Sequence, residues 1–184
     1  MEDLIVSQSS ERNWPGCVAA VKANDRACTG DVRLLVDYSL LAAEIPLKLI
    51  VRAPAGLAAY TIVAHSEIRD LGGAPHPAGG VEFTIAGLSN TVVAEGYRRQ
   101  GIYTALIKLR NIILDQSSGF DCVAALVKKG YEQRYRRQYP GFKLVKEEDQ
   151  FGAAWLIRVL PGIVITESEM GRAITYLETE VKKW

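Results

Sequence analysis

Val93-Ala94-Glu95-Gly96-Tyr97-Arg98-Arg99-Gln100-Gly101-Ile102-Tyr103-Thr104-Ala105-Leu106 is the stretch on which the reading of the fold turns. The residues before it, Val81 to Val93, make a long apolar and β-branched run that predicts a strand. From Ile102 the period changes. Ile102, Leu106, Leu109, Ile112 and Ile113 recur on one helical face, with Lys108, Arg110, Asn111 and Asp115 off it, and Ser117-Ser118-Gly119 supplies the stop. The quoted segment is therefore a strand end, a basic turn and a helix start. N–H groups in the first turn of a helix lack intrahelical acceptors and carry the positive end of the macrodipole, so such a turn can hold a phosphate or pyrophosphate. Gly101 removes the side chain that would bar close approach. A plain turn bearing two solvated arginines is the alternative. The chain has neither a Gly-x-x-x-x-Gly-Lys-Ser/Thr run nor a Gly-x-Gly-x-x-Gly fingerprint, which sets aside two common nucleotide-binding turns.

Downstream, Phe120 to Val127 is a nearly continuous apolar run, as expected of a strand covered on both faces. Strand, turn, helix and strand make a crossover unit, so this strand is expected to lie parallel to the one ending at Val93, with a right-handed connection. Tyr131 to Gln138 reads as a helix stopped by Pro140-Gly141, and Phe142 to Lys146 with Ala153 to Leu160 read as closing strands. Thr166 and Glu169 match a capping box that opens a last helix, with the stripe Met170, Ala173, Ile174, Leu177 and Val181. That stripe reads as a packing face, on its own domain or a partner.

Upstream, Leu4 to Val6 suits a short strand and Trp14 to Lys22 a helix with Pro15 in its first turn. Asp31 can cap a helix carrying Val32, Leu34, Leu35, Tyr38, Leu41 and Ala42 that ends before Pro46. Leu47 to Arg52 and Leu57 to Ala64, separated by Ala53-Pro54-Ala55-Gly56, predict a hairpin. The glycines and prolines between Leu71 and Gly80 predict a surface loop, with His76 solvated in it. Gly87, inside the long strand, marks a bulge or a close approach of another backbone or a ligand.

The whole chain has 184 residues, 48% hydrophobic and 23% charged, which predicts one globular domain with a sizeable core. A formal charge of +1 gives no global field towards nucleic acid or anionic membrane. Cys17, Cys28 and Cys122, with only His65 and His76 to join them, lack zinc-ligand spacing and read as reduced thiols; no metal is expected. Met1-Glu2-Asp3-Leu4 lacks the pattern of a signal peptide, and no apolar run approaches the roughly 20 residues a membrane span needs. A soluble cytoplasmic protein is expected.

The run Tyr97 to Tyr103, with its strand before and helix after, resembles the acetyl-CoA-binding signature of the GNAT superfamily of N-acyltransferases, Gln/Arg-x-x-Gly-x-Gly/Ala. Arg98 and Gly101 match, whereas Tyr103 stands where the family usually has a small residue. The order of elements is also similar across residues 4 to 160. The resemblance implies an α/β (α+β) fold: a mixed central sheet flanked by helices, as a single domain over residues 1–184, with a core at 4–160 and an added C-terminal helix at 166–184. It implies transfer of an acetyl or other short acyl group from acetyl-CoA, with no metal, to a primary amine on a small molecule or peptide. On this pattern the backbone of Val92 and Val93 meets the pantetheine arm, and Arg98, Arg99, Gln100, Gly101, Ile102, Tyr103 and Thr104 wrap the pyrophosphate. Gly87 falls where the strand splays from its parallel neighbour.

A second landmark of the family is a tyrosine on the helix after the parallel strand, followed by Gly-Phe, whose phenol protonates the departing CoA thiolate. Tyr135, ahead of Gly141-Phe142, is the residue this resemblance selects as catalytic, with Tyr131 and Tyr139 as rivals because the spacing is two residues long. A phenol suits the task, its ordinary pKa of about 10 lying near that of a thiol. Lys128 stands near the place of an Asn common in relatives. Lys128, Lys129, Arg134, Arg136 and Arg137 form a basic patch that reads as a solvated face, one or two of them reaching the ribose phosphate. No general base is evident: Glu82 would have to act through water and reads more strongly as a strand-end surface carboxylate, and Cys122 reads as core packing. The rival reading is a non-catalytic acyl-CoA sensor or interaction module, or a basic helix used on nucleic acid. A homodimer stays open.

Overall fold

Eight strands and three helices are found among residues 3–9, 33–36, 44–55, 60–146 and 152–180, which a computed structural model describes. In chain order they are β1 (Asp3–Ser9), β2 (Arg33–Val36), β3 (Leu47–Pro54), β4 (Tyr60–Pro75), β5 (Val81–Val93), α1 (Ile102–Asp115), β6 (Cys122–Lys128), α2 (Glu132–Gln138), β7 (Lys143–Lys146), β8 (Ala153–Val159) and α3 (Glu167–Glu180). The fold is α+β, with a mixed sheet in the order β2-β1-β3-β4-β5-β6-β8-β7. The chain divides into two compact units: the described residues up to Ile68 with Ser89–Gln116, and Arg69–Leu88 with the described residues from Ser117 on.

In the first unit β3 lies between β1 and β4, antiparallel to both. The predicted hairpin is present, with a register shift between Val51 and Arg52 that makes a bulge. The helix predicted after Asp31 does not start as expected: Arg33–Val36 is a strand parallel to β1, pairing Asp3 with Arg33 and Val6 with Val36, and residues 37–43 of the predicted helix lie outside the described residues. A four-residue apolar run satisfies either period, and here a partner strand supplies the hydrogen bonds that a helix would have made internally. The helix predicted over Trp14–Lys22 lies outside the described residues.

α1 spans the predicted length, but its buried face differs from the predicted one. Arg110 is only 2% exposed, while Ile112 faces solvent. The Arg110 Nη1 group donates to the carbonyls of Glu67 (2.9 Å) and Ser89 (3.0 Å), which lie on β4 and β5. Burial of a guanidinium is tolerable only with such acceptors. The helix is thereby fastened to two strands at one point.

In the second unit β6 runs parallel to β5, pairing Ile85 to Leu88 with Cys122 to Ala125, and antiparallel to β8, which pairs with β7. The two strands pair in parallel, as expected. β4 continues through Leu71–Pro75, where a loop was predicted; the reversal is confined to residues 76–80, closed by His76 N–H to the Gly80 carbonyl (3.1 Å). Gly72 remains in the strand at φ +79°, and a Cβ there would lie 2.6 Å from the Tyr176 hydroxyl. That hydroxyl donates to the Leu71 carbonyl at 2.7 Å. The glycine admits a tyrosine from α3 rather than ending the strand.

Thr166 and Glu169 form the predicted capping box, Glu169 N–H donating to Thr166 Oγ1 (3.3 Å) and Thr166 N–H to the Glu169 carboxylate. Ala173 and Leu177 of α3 join Leu71, Phe83, Ile85, Cys122, Trp155 and Ile157 in one core cluster, with Met170 and Ile174 packed against it, while Val181 of the predicted stripe lies outside the described residues. Arg172 is bound through two nitrogens to the carboxylate of Glu82.

Candidate acyl-CoA turn and tyrosine cluster

The turn belongs to the first unit. β5 pairs with β6 as far as Leu88 opposite Ala125 and then continues to Val93. Gly87 sits inside this ladder opposite Ala124, so the sequence reading placed the departure too early. The unusual backbone lies at Asn90, φ +50°, a left-handed conformation that asparagine tolerates better than most residues. Its amide donates to Glu67 Oε2 at 2.9 Å, and Lys48 Nζ stands 3.8 Å from the other oxygen of that carboxylate. Next to it Ser66 and Thr91 share a 2.7 Å hydroxyl hydrogen bond.

Past the strand end the chain makes a single 3₁₀ turn at Glu95–Tyr97, with Tyr97 and Arg98 N–H bonded to the carbonyls of Ala94 and Glu95. Arg99 (φ +65°) and Gly101 (φ +82°) then bend it into α1. Gly101 is the N-cap of a 14-residue helix and has no side-chain capping bond. The Ala105 amide bonds back onto the Gly101 carbonyl at 2.9 Å. The N–H groups of Ile102 and Tyr103 precede it and by helix geometry point beyond the helix end. This is the arrangement that accepts an anion, and the exposed Arg98 and Arg99 add charge to it.

Each predicted turn residue can be placed. Val92 is 51% exposed; Val93, Gln100 and Thr104 are half-buried; the Ile102 side chain is in the core, leaving its backbone to act. The Tyr103 ring is 45% exposed, so the bulk that departs from the family pattern goes into solvent. Arg98 Nε donates to the Val93 carbonyl (3.2 Å), which ties the arginine to the strand end. Gln100 braces the turn through the Gly96 carbonyl, 3.2 Å away. Ala94 N–H donates to the Val63 carbonyl of β4 at 2.7 Å. Successive strand residues present their N–H groups to alternate edges, so the Val93 N–H is turned away from β4.

The tyrosines belong to the second unit. Tyr135 on α2 is 6% exposed, its ring 4.8 Å from that of Tyr139 and 5.4 Å from that of Phe142, in tilted and edge-on contacts. Tyr139 is likewise buried, whereas Tyr131 precedes the helix and is exposed. Lys128, Lys129, Arg134, Arg136 and Arg137 all face solvent. Glu82 is bound by Arg172, mainly through that hydrogen bond its pKa is lowered, and it belongs to a structural ion pair rather than a proton-accepting position. Cys122 is buried, and burial pushes its thiol up to about 12, which removes it as a nucleophile. Among the described residues no three His, Cys, Asp or Glu side chains group to hold a metal, and no helix is long and apolar enough to cross a membrane.

Sequence reasoning placed Arg110 on the solvent face and passed over Glu67 and Asn90; all three shape the strand end. The signal available was their polarity inside otherwise apolar segments.

The chain is similar in fold to several solved acetyltransferase structures. The GNAT family N-acetyltransferase YhbS of Escherichia coli, in complex with CoA, matches at 19% identity over 64% of this chain and 63% of its own, TM-score 0.45. NAA60 of Arabidopsis thaliana, in complex with a bisubstrate analogue, matches at 16% identity over 62% and 76%, TM-score 0.43. The ribosomal-protein-S18-alanine N-acetyltransferase of Escherichia coli matches at 18% identity over 71% and 77%, TM-score 0.42. This chain thus spans under two thirds of the YhbS chain. No protein-family model and no curated protein sequence matches it.

Proposed function

We propose that this chain is a GNAT-type N-acyltransferase that moves an acetyl or other short acyl group from CoA directly to a primary amine. The observation that carries this reading is the uncapped N-terminus of α1, entered through left-handed Gly101 directly after a strand end that holds Arg98. A pyrophosphate needs converging N–H donors and positive charge, and the turn supplies both. The acyl-CoA enters as substrate, its pantetheine arm along Val92 and Val93. The outward N–H of Val93 polarises the thioester carbonyl, and direct attack by the amine then needs no covalent enzyme intermediate. Tyr135 is the proposed acid for the departing thiolate, and the aromatic contacts around it fix its ring. The acceptor is a small molecule or peptide amine.

The test is isothermal titration with acetyl-CoA, followed by thiol release in the presence of mixed primary amines. Wild-type protein should bind and release thiol. Gly101→Val should weaken binding at least tenfold, since it forces a β-branched residue into left-handed backbone. Tyr135→Phe should lower turnover while leaving affinity within about twofold, as expected for loss of a general acid. Binding without thiol release from any amine would leave the sensor reading, and no binding at all would overturn both.

A further inference from the structure

Three contacts fix one register between β4 and β5: Ala94 N–H to the Val63 carbonyl (2.7 Å), the Ser66–Thr91 hydroxyl pair (2.7 Å), and the Asn90 amide on the Glu67 carboxylate (2.9 Å). In that antiparallel register His65 stands directly opposite Val92. Opposed residues on one face of such a pair have Cβ atoms roughly 4.5–5.5 Å apart. His65 is half-buried, and its Nδ1 is enclosed with no hydrogen-bond partner. Enclosed polar atoms without partners are uncommon and call for a specific explanation, a catalytic role among them. Val92, across from it, is the exposed strand residue along which the acyl-CoA arm is placed above. We infer that His65 is the proton acceptor for the incoming amine, an inference that rests on the acyltransferase reading and extends it to the acceptor side.

The step balances as follows. The ammonium form of the acceptor gives one proton to the imidazole, and its nitrogen lone pair forms the C–N bond at the thioester carbonyl. The C–S bond breaks with its electron pair going to sulfur. The second proton lost from nitrogen ends on the thiolate, giving amide and CoA thiol, and the imidazolium returns its proton to solvent. Histidine is the side chain most often used in this role. Among the charged residues near it are Glu67, two residues on, and Lys48 of β3, which pairs with Glu67.

The experiment compares wild type, His65→Gln, His65→Asn and a control, His76→Gln, in the exposed turn at residues 76–80. Each is assayed for acetyl-CoA binding and for thiol release with a mixture of benzylamine, spermidine and trialanine. Both His65 variants should lose about 100-fold or more in kcat at neutral pH, with acetyl-CoA affinity within about twofold. The deficit should shrink as pH rises and more of the amine arrives unprotonated. His76→Gln should match wild type. In the wild-type protein the His65 imidazole ¹⁵N resonances, distinguished from those of His76 by H76Q, should move when the amine mixture is added; this needs no His65 variant. Unchanged kcat in either folded His65 variant, or unmoved resonances in a protein that turns over, overturns the assignment alone. Failure of the wild-type protein to bind acetyl-CoA overturns the acyltransferase reading and this assignment with it.

Discussion

Arg110 shows how one side chain can set the geometry of a strand end. Its guanidinium is buried and serves carbonyls on β4 and β5 at once, just before the left-handed Asn90. Arg110→Met keeps much of the volume but removes the donors, leaving part-buried carbonyls that water reaches poorly. A loss of about 1–3 kcal/mol in urea unfolding is expected, with acetyl-CoA affinity falling further than stability alone explains. Equal urea midpoints for variant and wild type would count against the role. Arg110 was assigned to the solvent face from sequence because helical periodicity sorts residues by polarity, and a buried arginine defeats that sorting. Gly101, by contrast, was legible at once: a glycine at a helix entry has a backbone reason to be there.

Among elements, those with a long single period were readable. β5, α1, β6 and α3 appear as expected because each carries enough apolar repeats to exclude the other period. The failures were short or punctuated segments. Arg33–Val36 is too brief for its period to decide, and its strand identity comes from β1. The end of β4 contains Gly72 and Gly73, which read locally as a turn; the reason for Gly72 is the Tyr176 hydroxyl on α3, more than a hundred residues away in sequence. The α3 cap was visible as the pair Thr166 and Glu169, since its chemistry is local. Thr166→Ala should cost about 1 kcal/mol, measured as a lowered urea midpoint together with faster hydrogen exchange in the first turn of α3. Of the candidate site, the turn was legible and the strand network was not, because the latter joins three strands and a helix through contacts no local pattern encodes.

For the molecule as a whole, acid should act unevenly. Glu82 and Glu169 both have lowered pKa values, the first chiefly through its hydrogen bond from Arg172 and the second through those involving Thr166. A carboxyl whose folded pKa lies below its unfolded value adds stability above the usual 4.5; that stability drains away as pH falls through the lowered folded value. Both groups lie in the second unit. Hydrogen exchange followed from pH 6 to below 4 should therefore show protection falling earlier in α3 and the start of β5 than in α1. Loss in the reverse order would contradict this account.

The left-handed residue in β5 also bears on descent. Side chains alternate along a strand, so losing or gaining one residue between Asn90 and Val92 would turn the Val92 side chain to the opposite face, and one between Val93 and Gly101 would shift the turn that follows. The reversal at residues 76–80 carries no such restriction: it is exposed, and open space surrounds Gly79 and Gly80. Chains descended from a common ancestor with this one should vary in length at the reversal and keep the interval from Asn90 to Gly101 constant, even where few of the intervening residues remain the same.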